Sequence, residues 1–154
     1  MQDEGQPEHR IDRTGWPAGP WDGEPEDRWE GRHAGFPVLA VRNHSGNWCG
    51  YVGVPPGHPW FRGDSEHVDA EVHGGLTYAA PCQSNGGPIC HVPAAGEPDN
   101  VWWLGFDCAH WGDIIPGIDR FRRPGDDGKE VYRSLAYVQE ETRRLADQAA
   151  AAAR

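Results

Sequence analysis

The segment that most restricts the fold is the last one, KEVYRSLAYVQEETRRLADQAAAAAR, from Lys129 to Arg154. Val131, Leu135, Val138, Thr142 and Leu145 recur close to every 3.6 residues, which predicts an amphipathic helix. The alanine run favours helix even where nothing packs against it. A helix with one apolar stripe needs a surface to cover, and the rest of the chain offers strands. FPVLAVRN, the turn residues HSGN and WCGYVGVP read in order as a β-hairpin, and PPGHP stops its second strand because proline lacks an amide proton. In VDAEVHGGLTYAA, alternation sets Val68, Ala70 and Val72 opposite Asp69, Glu71 and His73, the pattern of a strand with one wet face. VWWLGFDCAH, from Val101 to His110, is dense enough in aromatic and apolar residues for a central strand. The fold expected is α+β: a small, mainly antiparallel sheet of about four strands with the C-terminal helix packed on one face.

Two stretches stand outside that pattern. Residues 1–35 are rich in proline, glycine and acid and predict an irregular N-terminal segment, although Trp16, Trp21 and Trp29 suggest that parts of it are pinned to the body. Residues 36–154 then form a single compact domain, as expected of a 154-residue chain. PCQSNGGPICHVPAAGEPDN, from Pro81 to Asn100, is too broken for regular structure, and loops of such length usually cover a site or are disordered.

Charge and cysteine usage narrow the partners. With 24 acidic and 14 basic residues the formal charge is −10, which repels the phosphate backbone of double-stranded nucleic acid. The cluster DRFRR, containing Arg120, Arg122 and Arg123, can still pair with a single phosphate. No apolar run approaches the roughly 20 residues that cross a bilayer, and the N-terminus lacks an export pattern. A cytoplasmic chain is expected, with Cys49, Cys82, Cys90 and Cys108 as reduced thiols; a Cys82 to Cys90 bridge is sterically conceivable but calls for an oxidising compartment.

Strict alternation through EVHGGLTY places His73, Gly75 and Thr77 on one face and Leu76 and Tyr78 on the other. The same rule groups Trp103, Gly105 and Asp107 against Trp102, Leu104 and Phe106. Leu76, Tyr78, Trp102, Leu104 and Phe106 are then the core layer under the helix. The opposite face is expected to be open, a pocket floor where Gly75 and Gly105 leave clearance for a ligand. Asp107, His110 and Asp113 follow at three-residue spacing, so that one helical turn would let them face the same way, and a carboxylate beside an imidazole orients its tautomer and raises its basicity. His58 sits in the PGHP turn and could overhang the same face. His9, His33, His44, His67 and His91 lie in polar loops and are assigned no role.

In the order CGYV, a P-x-G-H-P turn, HGGLT, WW-x-GFDCAH-x-GD and a YV helix, the chain resembles a family of small, functionally uncharacterised proteins of bacteriophages and their bacterial hosts. The likeness spans about Cys49 to Gln148. It implies a shared fold and carries over Cys49, Gly50, His58, His73, Gly74, Gly75, Thr77, Asp107, Cys108, His110 and Asp113, but supplies no activity. The acidic N-terminus and the loop bearing Cys82, Cys90 and His91 depart from the pattern.

Three readings of function stand at this point. The first is a phage-type accessory protein that binds a small nucleotide-like ligand, with Gly74, Gly75, Thr77, Trp103, Gly105, His58 and Arg120 at the site; eight tryptophans give many flat surfaces for stacking a base. The second is a metal-dependent, phosphoesterase-like hydrolase, with His73, Asp107 and His110 as catalytic residues and Cys49 or Cys108 as remote nucleophiles. In that case His73, His110 and Asp113 would hold a divalent transition metal. The third is a structural or partner-binding protein whose histidines knit loops together.

Overall fold

The computed structural model describes residues 9–84, 86–119 and 130–154. Five strands form one antiparallel sheet: β1 (Arg28–His33), β2 (Phe36–Arg42), β3 (Trp48–Val54), β4 (Tyr78–Pro81) and β5 (Trp102–Asp107), in spatial order β1-β2-β3-β5-β4. A short α1 (Pro116–Asp119) precedes the long α2 (Leu135–Ala152), which packs on β2 and β3. The fold is therefore α+β as expected, with one strand more.

The extra strand is β1. Its sequence RWEGRH carries charge instead of an apolar stripe, which suits a sheet edge and hides it from a search for hydrophobic alternation. His33 pairs with Phe36, so Ala34 and Gly35 alone make the turn, with φ of 55° and 90°. Positive φ at both central residues gives the twist a two-residue hairpin needs. The compact body thus begins before residue 36.

Every residue of β2 and β3 is buried. On one face Val38, Ala40, Val52, Leu104 and Phe106 meet Val138, Leu145, Ala146 and Ala149 of α2. Gly50 lets the helix in, since a Cβ there would stand 2.3 Å from Thr142 Oγ1 and 2.6 Å from the Phe106 ring. On the other face Leu39, Val41, Tyr51 and Trp103 pack with Ile89 and Val101 of the long loop, and Tyr78 and Cys82 join them. The open face expected from alternation is therefore filled. Tyr78 belongs to this second core and not to the layer under α2. FPVLAVR reads as a continuous apolar run because both of its faces are covered.

The loop covering the second face is closed by a Cys82–Cys90 disulfide, which corrects the expectation of four reduced thiols; Cys49 and Cys108 remain free and buried. Arg28 donates to the carbonyls of Pro88 (3.0 Å) and Cys90 (2.6 Å), fastening the loop to β1.

α2 starts later than its periodicity suggests. The Ser134 hydroxyl accepts from the Tyr137 amide at its N-cap, and Val131 lies outside in a parallel bridge to Asp113. His58 secures the far end of the helix: its Nδ1 accepts from Trp60 N (2.9 Å), so Nε2 carries the proton and donates to Ala149 O (2.8 Å).

The ionic centre of the fold is Arg42, whose side chain is 0% exposed. It donates to Asp27 (2.9 Å), Glu24 (3.0 Å), the Gly46 carbonyl (3.1 Å) and the Tyr132 hydroxyl (2.7 Å), and its guanidinium lies 4.5 Å from the centre of the Trp48 ring. Glu24 also accepts from Tyr132 Oη, from Trp48 Nε1 (3.2 Å) and from the Leu135 amide at the start of α2 (2.8 Å). Burial pushes the Glu24 and Asp27 carboxyls up, but hydrogen bonds outweigh it and hold both below their ordinary values: Tyr132, the Leu135 amide, Trp48 and Arg42 at Glu24, and Arg13 (2.7 Å) and the Ile11 amide (3.1 Å), with the Arg42 charge, at Asp27.

Removing one partner of a buried, hydrogen-bonded charge pair costs about 3–5 kcal/mol. Arg42→Ala is expected to lower the unfolding free energy in urea by that amount. Because both folded-state pKa values are depressed, the contribution of Glu24 and Asp27 is complete above their unfolded values of 4.5 and 3.8 and is lost as the pH falls through the folded values. Acid titration of Arg42→Ala should show a shallower loss of stability over that window than the parent chain.

Candidate functional site

The HGG motif is a turn. Gly74 and Gly75 have φ of 70° and 84°, and Gly75 N donates to Val72 O at 2.9 Å. The alternation of Val68, Ala70 and Val72 reflects partial burial against the core, not strand structure, and pairing resumes where Thr77 N donates to Gly105 O at 2.9 Å. Before the turn the chain is fastened to α2. Gln148 both donates to Glu71 O and accepts from Glu71 N, and Glu141 accepts from His73 N at 2.9 Å.

That attachment points His73 toward the helix side of the sheet. Its Nε2 meets both oxygens of Asp113, at 3.0 and 2.9 Å, and its Nδ1 lies 2.8 Å from Tyr137 Oη. The Asp113 side chain is 1% exposed and also accepts from Arg133 Nε (3.0 Å) and His110 N (3.1 Å). Burial raises the Asp113 pKa, but the hydrogen bonds from His73, His110 N and Arg133 together with the His73 charge bring it below the ordinary carboxylate value. Asp113 is thus a junction that fixes three segments.

A second pair lies beside it. Asp107, at the end of β5, accepts from Thr77 Oγ1 (3.1 Å) and Ala109 N (3.1 Å). His110 Nε2 is 3.0 Å from Asp107 Oδ1 but out of line for a hydrogen bond, and that nitrogen is buried without a hydrogen-bond partner. The rings of His73 and His110 stand edge to face at 5.9 Å. Gly74 makes this possible: a Cβ there would come within 2.2 Å of His110 Nε2. At the tip of the same loop the Trp111 side chain is fully exposed, next to exposed Val131, whose amide donates to Gly112 O at 2.8 Å.

His73, Gly74, Thr77, Asp107, His110 and Asp113 are therefore brought together, while other expected site residues are not. Trp103 is wholly buried in the second core with its indole N–H against Cys82 Sγ. Gly105 lies under the Tyr51 ring, which a Cβ would meet at 2.3 Å, so its missing side chain admits a tyrosine and not a ligand. Gly75 serves the turn, and His58 is spent on α2. Arg120, with Arg122 and Arg123, lies outside the described residues.

The hydrolase elements also change. Among the described residues no three His, Cys, Asp or Glu groups converge as a metal-holding set; His73 faces Asp113 and His110 faces Asp107, in place of the expected His73, His110 and Asp113 trio. Burial pushes the Cys49 thiol up to about 12 and the Cys108 thiol further, so neither supplies a thiolate near neutral pH. Arg133, Tyr137 and Glu141 were not anticipated. Tyr137 and Glu141 lie four residues apart on one side of α2 and Arg133 just precedes its N-cap, a readable polar spacing, but only the fold shows what it faces.

No family model matches the chain, and neither the curated proteins nor the solved structures contain a match. No helix among the described residues is long and apolar enough to cross a membrane.

The two glycines of the turn should respond differently to alanine. Gly75→Ala meets nothing within 4 Å and carries only the left-handed backbone strain, about 1–2 kcal/mol. Gly74→Ala adds displacement of His110 and should cost more in urea unfolding. It should also shift the His110 imidazole resonances, which Gly75→Ala leaves in place.

Proposed function

We propose that the protein is a small-ligand binding module, and that its ligand is planar and nucleotide-like. The observation that carries this reading is Trp111, fully exposed beside the half-exposed Asp107 and His110, in a chain that buries Trp21, Trp48, Trp60 and Trp103. An exposed indole is a stacking platform for a heteroaromatic ring, and Asp107, an acceptor for Thr77 with about a third of its side chain exposed, would accept from the amino edge of a base. Binding is better supported than turnover because His73 has both nitrogens committed to protein groups and the two free thiols are buried.

In the bacteriophage setting that the CGYV, HGGLT and GFDCAH motifs resemble, such a module would act as an accessory factor that captures a metabolite. The Cys82–Cys90 bridge weighs against the reducing cytoplasm as its working compartment. A structural or partner-binding role is the second reading, favoured by the same commitment of His73 to Asp113 and Tyr137.

The two separate on titration of a panel of nucleoside mono- and triphosphates, followed by calorimetry and tryptophan fluorescence. Stacking on an aromatic side chain contributes about 1–3 kcal/mol per base, so Trp111→Ala should weaken the bound nucleotide by roughly 5- to 150-fold. The melting temperature should stay unchanged, because the Trp111 side chain is fully exposed. No nucleotide should be consumed. Affinity unaltered by Trp111→Ala, or catalytic conversion of the bound nucleotide, overturns the proposal.

A further inference from the structure

Among the described residues only Ala34 and Arg62 combine a side chain with a positive φ. Ala34 is accounted for by the two-residue turn between β1 and β2. Arg62, with φ of 68°, is the third residue of the turn that Gly63 N closes on Trp60 O (2.9 Å), a position where glycine or asparagine is the usual occupant. An arginine there is strained by its Cβ, and its side chain serves no purpose within the fold: it is exposed and has no hydrogen-bond or ion-pair partner among the described residues. Backbone strain of this kind clusters at ligand clamps and active sites.

Arg62 stands beside an open cleft of about 350 Å³, at the small end of ligand pockets. Phe61, Pro81, Val101 and Trp102 give the cleft apolar walls. The Trp102 indole N–H is committed to Gly63 O at 2.8 Å, which ties β5 to the strained turn and fixes the ring as a wall, with the Phe61 ring tilted toward it at 6.3 Å. Arg62 and Asn100 are then the polar side chains free to meet a ligand, since neither has a partner among the described residues. Because Arg62 is solvated and unpaired, its guanidinium can swing over the cleft without breaking any contact, and the cleft need not exclude water.

A guanidinium binds a carboxylate through two parallel N–H···O bonds, and the Asn100 amide offers a further donor. Among the described residues Arg62 is the one cation lining the cleft, in a chain of formal charge −10. It answers a single negative charge, whereas a phosphate monoester carries about 1.5 to 2 near neutral pH. The aromatic walls suit a flat apolar body. We propose that the cleft beside Arg62 binds a small aromatic monocarboxylate, its carboxylate paired with Arg62 and its ring packed against Phe61 and Trp102. Trp102 opens β5 and Asp107 ends it, so this site and the Trp111 shelf lie at opposite ends of one strand and are independent of each other.

The test uses the full chain with phenylacetate as probe, following the Trp102 indole N–H and Arg62 Nε–H signals by NMR. Both should shift saturably. Phenylacetamide, which has the same shape without the charge, should bind about tenfold more weakly or worse, and phenyl phosphate more weakly than phenylacetate. Arg62→Gly removes the guanidinium and the strain together: affinity should fall by about tenfold or more while the melting temperature rises, so that the loss is not one of folding. Shifts that stay linear in phenylacetate, an affinity unchanged by Arg62→Gly, or equal binding of phenylacetamide overturn the proposal. Tighter binding of phenyl phosphate overturns the assignment of a carboxylate.

Discussion

The buried guanidinium of Arg42 is the constraint on which the architecture turns. A charge with 0% exposure is tolerable only when it is paired and hydrogen-bonded, and its partners are Gly46 in the adjoining β2–β3 turn and groups from two more distant parts of the chain, Glu24 and Asp27 before the sheet and Tyr132 before α2. Satisfying Arg42 therefore draws the acidic N-terminal segment onto the body. Glu24 then passes the constraint on by accepting from the first amide of α2, where a helix start has free donors. One desolvated cation thus sets where the N-terminus lies and where the long helix begins.

The same interaction explains what was and was not legible in the sequence. α2 and the β2–β3 hairpin were readable because their signals are local: a 3.6-residue apolar period, and two apolar runs around turn residues. The N-terminal segment was read as irregular because its glutamates, aspartates and prolines resemble a solvated tail. Nothing local says that two of those acids answer a buried arginine up to 18 positions away. β1 was hidden for a related reason, since an edge strand such as RWEGRH needs no apolar alternation.

The candidate site was legible as a set of residues but not as a geometry. HGGLT and FDCAHWGD do meet, yet the strand alternation used to place them fails, because Gly74 and Gly75 adopt left-handed conformations and turn the chain. The turn moves His73 from the presumed ligand face to the helix side, against Tyr137 and Asp113. The glycines proved informative in a different sense from pocket clearance. Gly50 admits α2, Gly105 admits Tyr51 and Gly74 admits His110; each marks a close approach by the protein's own side chain.

The histidines show how far the fold has consumed its own chemistry. His58 spends both nitrogens on the backbone near α2, and His73 spends both on Asp113 and Tyr137. A ring so occupied can move a proton only by breaking structure, so these two hold loops in place. His110 approaches Asp107 off-axis and keeps a nitrogen without an aligned partner, beside the exposed Trp111. His91, in a loop that composition alone gave no role, is buried with Nδ1 unpaired. The two imidazole nitrogens left without a hydrogen-bond partner, His91 Nδ1 and His110 Nε2, are thus both buried and lie toward opposite ends of the strands, while the sheet between them is sealed on both faces by its own cores.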